Sequence, residues 1–217
     1  MILIDLSHPF DPEHQADPGP AGLRLERLKT VARDGVNTMH IGLGNHIGTH
    51  IDAPLHLIEN GAAVDELPLD TYYGTAAVLD LRREQNEGVT AQDLAGAKPA
   101  VERGDIVVIH SGWGDRLGTP QYASHHPFLT DDAAHWLVRS GVRLVAMDVQ
   151  SVDLPHSLRP PGFRYTSLRT LLAAGIPVAH SLTNLEPVAG RRVQVFCLPV
   201  NFRGADGAPV RVVAQVD

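Results

Sequence analysis

The chain has 217 residues, 43% apolar and 20% charged, a balance that fits one globular core and excludes a disordered or low-complexity chain. Its net charge of -7, with histidines neutral, excludes a general nucleic-acid surface, which needs a basic stripe. There is no run of about 18 apolar residues, so no membrane span is expected, and a single cysteine excludes an internal disulfide and fits a reducing cytoplasm.

In chain order, the first residues lack the basic segment and long apolar stretch of a secretory signal. Residues 2–6 (Ile-Leu-Ile-Asp-Leu) are predicted to form a short buried strand. Residues 7–23, rich in Pro, Asp, Gly and His, read as a surface loop that includes His14. A strand-like pattern resumes over 37–43 and leads into the run His46-Ile47-Gly48-Thr49-His50-Ile51-Asp52-Ala53-Pro54-Leu55-His56.

In that run His46, His50, Asp52 and His56 all occupy even positions. An extended chain alternates its side chains with period two, so these four would share a face. Imidazoles with a carboxylate form a mixed N/O donor set that suits Zn, Mn or Fe at an open site. At about 3.3 Å per residue, His46 and His50 would stand roughly 13 Å apart, too far for one ion. The segment must bend between them, and Gly48 tolerates the required backbone. A helix would also bring these two histidines together. Gly48 and Thr49 are poor helix formers, and Pro54 disfavours helical geometry at Ala53.

Beyond the run, Glu59-Asn60-Gly61 signals a turn, and residues 67–73, with Pro68, a turn or short helix. Residues 74–81 form a β-rich apolar run. Thr90 and Asp93 resemble a capping box that opens a short helix. Residues 105–110 read as a buried strand ending in the glycine-punctuated loop Ser111-Gly112-Trp113-Gly114. His125 and His126 read as surface loop residues. Thr130 caps a predicted helix through Ser140, stopped by Gly141. Residues 142–149 form a strand, 151–163 a loop, 167–174 a helix closed by Gly175, and 176–182 a strand. Two closing strands, 193–200 and 210–216, flank the turn Gly204-Ala205-Asp206-Gly207. Cys197 reads as a small buried hydrophobe. The order implies one α/β domain over 1–217, with a mixed sheet curling toward a barrel.

The run from His46 to His56 matches HxGTHxDxPxH, and on that signature the chain resembles the cyclase-like metal hydrolases, which include bacterial kynurenine formamidase and isatin hydrolase. Further blocks carry the resemblance along nearly the whole chain. They are Ile4 to His8, Ser111 to Trp113, Asp148 with Ser151-Val152-Asp153, Leu182 to Leu185, Leu198-Pro199-Val200, and Asp206 to Arg211. The resemblance implies a swivelling β/β/α fold and a homodimer or larger homo-oligomer. It also implies divalent zinc or manganese and hydrolysis of an amide-type bond in a small molecule. His46, His50 and Asp52 would then be metal ligands and His56 the general acid/base.

The chain departs from the two-metal members of that family at two places. Leu168 stands before Arg169 where a ligand histidine is expected, and His180 stands where a glutamate is expected. Leucine cannot ligate, and loss of a bridging carboxylate removes the charge that lets two dications approach. One ion is therefore expected, with His180 as its extra ligand or as a hydrogen-bond donor beside it. His8 and Trp113 are candidate substrate-binding residues. A cyclase, dehydratase or isomerase step would suit the same pocket, as would, without an acid/base, a non-catalytic metal or small-molecule binding protein.

Overall fold

The computed structural model describes residues 1–12 and 22–216, so His14 and most of the predicted 7–23 loop lie outside the described residues. Strand β1 (Ile2–Asp5) forms, but Ile2 and Leu3 are 61% and 62% exposed. The expectation of a buried strand is corrected here: β1 is an edge strand, with Ile4 half-buried against the core and Leu6, just past its end, fully inside it.

Strands β2 (Arg24–Lys29) and β3 (Thr38–Gly42), joined across the one-turn helix α1 (Val31–Asp34), make a separate two-stranded hairpin. Sequence reading finds β3 and misses β2. Its leucines, Leu25 and Leu28, are spaced by three rather than two. A register irregularity between Arg27 and Lys29 accommodates that spacing.

The rest of the chain supplies β4 (His50–Asp52), β5 (Tyr73–Asp80), β6 (Gly88–Val89), α2 (Ala91–Gly96) and β7 (Ile106–His110). These are followed by α3 (Gln121–Ser124), β8 (Phe128–Leu129), α4 (Asp131–Ser140) and β9 (Leu144–Met147). The last elements are α5 (Thr166–Ala173), β10 (Val178–His180), β11 (Arg192–Pro199) and β12 (Gly207–Val216). Thr90 and Asp93 do form a capping box on α2, with Asp93 N–H donating to Thr90 Oγ1 and Thr90 N–H to Asp93 Oδ2. Thr130 stands at the start of α4 as expected. Its hydroxyl instead donates to Val89 O, which ties the helix to β6. Gly141, at φ 70°, closes α4.

Seven strands close on themselves in the order β12-β11-β5-β7-β9-β10-β4 and back to β12, with β1 added along β12. Neighbours from β5 to β10 are parallel; β4, β11 and β12 pair antiparallel. Alternation along the strands then builds two cores. Ile106, Val108, Leu144 and Ala146 point inward with Ile51, Cys197 and Val212. Val107, Ile109, Val145 and Met147 point outward and are covered by Leu94, Leu137 and Leu171 of the helices. Cys197 is fully buried, and burial pushes its thiol up to about 12.

Candidate metal centre

Strand β4 is short, and its alternation decides the site. Ile51 points into the barrel, so His50 and Asp52 share the opposite, outer face. The neighbouring β10 adds His180, which sits directly opposite His50 in the register. Its ring stacks on that of His50 at 5.1 Å. On the other side of β4, Gly207 lies opposite Asp52 and presents no side chain. A Cβ there would meet His46 Cε1 at 2.5 Å, so glycine leaves the space that the His46 ring fills.

The shared face reaches His46 and His56 by a different route from the one expected. Only His50 and Asp52 are in a strand. The chain bends at Gly48, φ 62°, and brings the His46 ring to 5.5 Å from that of His50. Pro54 opens a single 3-10 turn, Pro54–His56, that swings His56 back until its ring lies 4.2 Å from that of His46. Thr49 pins the bend: its hydroxyl donates to Ser181 O and accepts His8 N–H.

Four imidazoles thus surround one carboxylate. His46 Nδ1 lies 2.8 Å and His50 Nε2 3.5 Å from Asp52 Oδ1; His180 Nε2 lies 3.1 Å and His56 Nε2 4.0 Å from Oδ2. Mutually close ligand atoms fall into two sets, His46–Asp52–His56 and His50–Asp52–His180, which share Asp52. Burial favours a neutral Asp52, yet the charge of His180 and hydrogen bonds from His180 and His46 hold its carboxyl well below the usual range.

The donor set fits a divalent ion on its own chemistry. His50 is buried, and burial pushes its pKa down to about 4, so it is neutral at pH 7. Its Nδ1–H donates to Gly48 O at 2.9 Å, which leaves Nε2 bare. That lone pair faces an ionised Asp52 oxygen with no proton between them. A cation is the species that resolves two such acceptors. The buried Nδ1 of His180 also has no hydrogen-bond partner.

Asp206, which sequence reading left out of the site, lies against it. Its Oδ2 accepts from His46 Nε2 and His56 Nδ1, each at 2.9 Å, and its Oδ1 from Asn45 Nδ2 at 2.6 Å. Burial raises its pKa, but the hydrogen bonds from His56 and His46 outweigh this and hold it at about 2. For His46, burial opposes the charged form, while the bonds to Asp52 and Asp206 raise its pKa.

The remaining predicted residues lie elsewhere. His8 is half-buried beside Asp115, Gly114 and Leu182, and its Nε2 lacks a partner. Trp113 is 2% exposed within the outer core, with its indole N–H donated to Tyr122 O. Leu168 is buried among the helix residues. His126 corrects the expectation of a surface residue: it is 1% exposed, because the chain at 126–129 runs into β8, and Leu129 N–H bonds Val152 O.

Burial pushes the His126 pKa down to about 4, from about 6.5 for a free histidine. The unfolded chain therefore takes up this proton first as pH falls, and stability is lost between about pH 6.5 and 4. The span corresponds to about 3 kcal/mol; His50 acts in the same direction. Melting of metal-free protein across this window is expected to show a steep loss for the wild type and a shallower one for His126→Phe. Equal pH slopes would contradict this.

A family model described as Putative cyclase matches residues 4–154. The chain is 32% identical to the kynurenine formamidase of Salinibacter ruber, covering 99% of this chain and 98% of that one. Its fold superposes on isatin hydrolase A from Labrenzia aggregata with a TM-score of 0.88 at 23% identity, covering 99% and 93%. The isatin hydrolase A of Ralstonia solanacearum gives 0.86 at 22%, covering 100% and 92%. The chain belongs to the cyclase family of α/β proteins. Within it, the kynurenine formamidase relative places the chain among the hydrolases.

Proposed function

We propose that the chain hydrolyses an amide-type bond, in a formamide, a lactam or a similar acyl compound of small size. One divalent ion, zinc or manganese, would be held by His46, His50 and Asp52, with His180 as a further ligand. The observation that carries this reading is the bare His50 Nε2 facing the ionised Asp52 carboxylate. The formamidase relatives and isatin hydrolase neighbours support the bond type. Charge supports a single ion: both ligand sets share one carboxylate, Asp52, and the other nearby carboxylate, Asp206, is taken up by His46, His56 and Asn45, which leaves little negative charge to hold two dications side by side. Leu168, buried in the core, supplies no ligand.

When bound, such an ion polarises an acyl carbonyl and acidifies water. The chain does the rest. Asp52 offsets the ion's charge. His56 gives its Nδ1–H to Asp206 and turns Nε2 toward Asp52 Oδ2, where it can take a proton and pass it to the leaving nitrogen. The test is a panel of N-formyl aromatic amines, isatin-like lactams and simple esters, assayed before and after chelation. Turnover of an amide-type member is expected, lost on chelation and restored by zinc or manganese. Metal binding with no hydrolysis of any member would contradict the reading.

We also propose that residues 1–217 form one domain acting in the cytoplasm as a homodimer or larger homo-oligomer. The β2–β3 hairpin supports the assembly, since it leaves Leu25, Leu28, Met39 and Ile41 exposed, and an isolated hairpin is marginal in water. Sedimentation is expected to return a dimer or larger species; a monomer at micromolar concentration would contradict it. Among the described residues no helix is long and apolar enough to cross a membrane.

A further inference from the structure

The structure assigns Asp206 as the positioning residue of this site: one carboxylate oxygen holds both His46 and His56 and fixes which nitrogen each ring turns toward Asp52. Only its kinetic consequence rests on the hydrolase reading above.

The geometry is specific. Asp206 Oδ2 accepts from Nε2–H of His46 and from Nδ1–H of His56. A carboxylate can only accept, so both bonded nitrogens carry hydrogen. The opposite nitrogen of each ring faces inward: His46 Nδ1 donates to Asp52 Oδ1 at 2.8 Å and is the atom that would exchange that hydrogen for an ion, while His56 Nε2 stands 4.0 Å from Oδ2. One oxygen thus sets the ligand atom of one histidine and the proton-accepting atom of the other. Carboxylates behind metal-bound histidines orient the ring and raise its basicity in this way.

Asp206 is itself held from three directions. Its Oδ1 accepts from Asn45 Nδ2, the residue just before His46. Its backbone carbonyl accepts the N–H of Ala53, the residue after Asp52. Gly207 follows and pairs with Asp52 across β4 and β12, and its missing side chain leaves the space that the His46 ring fills. The pair Asp206-Gly207 therefore works as a unit: the carboxylate holds the ring, and the missing side chain admits it. Asp206 bonds the ring nitrogens that face away from Asp52, which separates positioning from ligation.

The experiment compares wild type, Asp206→Ala and Asp206→Asn. It reads zinc affinity by competition with a chromophoric chelator, histidine tautomers by two-bond ¹H–¹⁵N NMR, and kcat and KM on the panel member turned over. For Asp206→Ala, zinc affinity is expected to fall about 10- to 100-fold, and His56 to lose its preference for hydrogen on Nδ1. Its kcat is expected to fall about 100-fold or more with KM within about threefold, since general acid–base contributions start at that size. Asp206→Asn keeps one acceptor oxygen and the shape, so it is expected to recover part of both losses. Wild-type zinc affinity and tautomers in a folded Asp206→Ala would overturn the assignment. If that variant does not fold, Asp206→Asn decides: several-fold weaker zinc binding with an altered tautomer supports the assignment, and wild-type values overturn it. If no substrate is turned over, the hydrolase reading fails, while the zinc and tautomer readouts still decide the role of Asp206.

Discussion

Asp52→Ala is expected to abolish metal retention and to lower turnover by at least about 1,000-fold, the scale of losing a metal's charge stabilisation. Every ligand distance runs through this carboxylate: both ligand sets contain it, and four imidazoles face its two oxygens. Asp52 is 3% exposed, so the metal-free variant also leaves His46 and His180 without their buried acceptor. Removing one partner of such a buried pair costs about 3–5 kcal/mol. Elemental analysis of the purified variant and a melting curve check both parts. A variant that keeps its ion and its turnover would remove Asp52 from the centre of the site.

His56→Ala is expected to lower kcat by about 100- to 10,000-fold, the range for loss of a positioned acid/base, while metal content stays at the wild-type level. This outcome separates two readings of one geometry. His56 is near enough to His46 and Asp52 to complete a ligand set with them, yet its Nδ1 is already committed to Asp206 and its Nε2 is the farthest of the four imidazole atoms from Asp52. An acid/base loses rate and keeps the ion. A ligand loses the ion in proportion to the rate.

Much of this site is legible in the run from His46 to His56, because distance alone demands a bend and Gly48 is the one residue there that takes φ 62° without strain. Period-two alternation places His50 and Asp52 on one face, as it should for a strand. It does not place His46 or His56, which arrive through a turn and a 3-10 helix. Asp206 is invisible to any local reading, since it lies 150 residues beyond His56 and meets it only because β12 closes the barrel against β4. The barrel closure itself is non-local for the same reason. In the separate hairpin, an irregularity breaks the period of β2, and His126 is buried where residues 126–129 run into β8, which pairs with the distant β6. Local pattern tells which residues carry chemistry; long-range pairing tells which of them meet.

In the proposed mechanism, one ion at Asp52 serves a histidine base. The most direct test is metal stoichiometry titrated against activity: metal-free chain receives increasing zinc or manganese, with bound metal and turnover measured at each step. Turnover is expected to rise linearly and to level off at one ion per chain. A plateau at two ions per chain, or full turnover with none, would contradict the account.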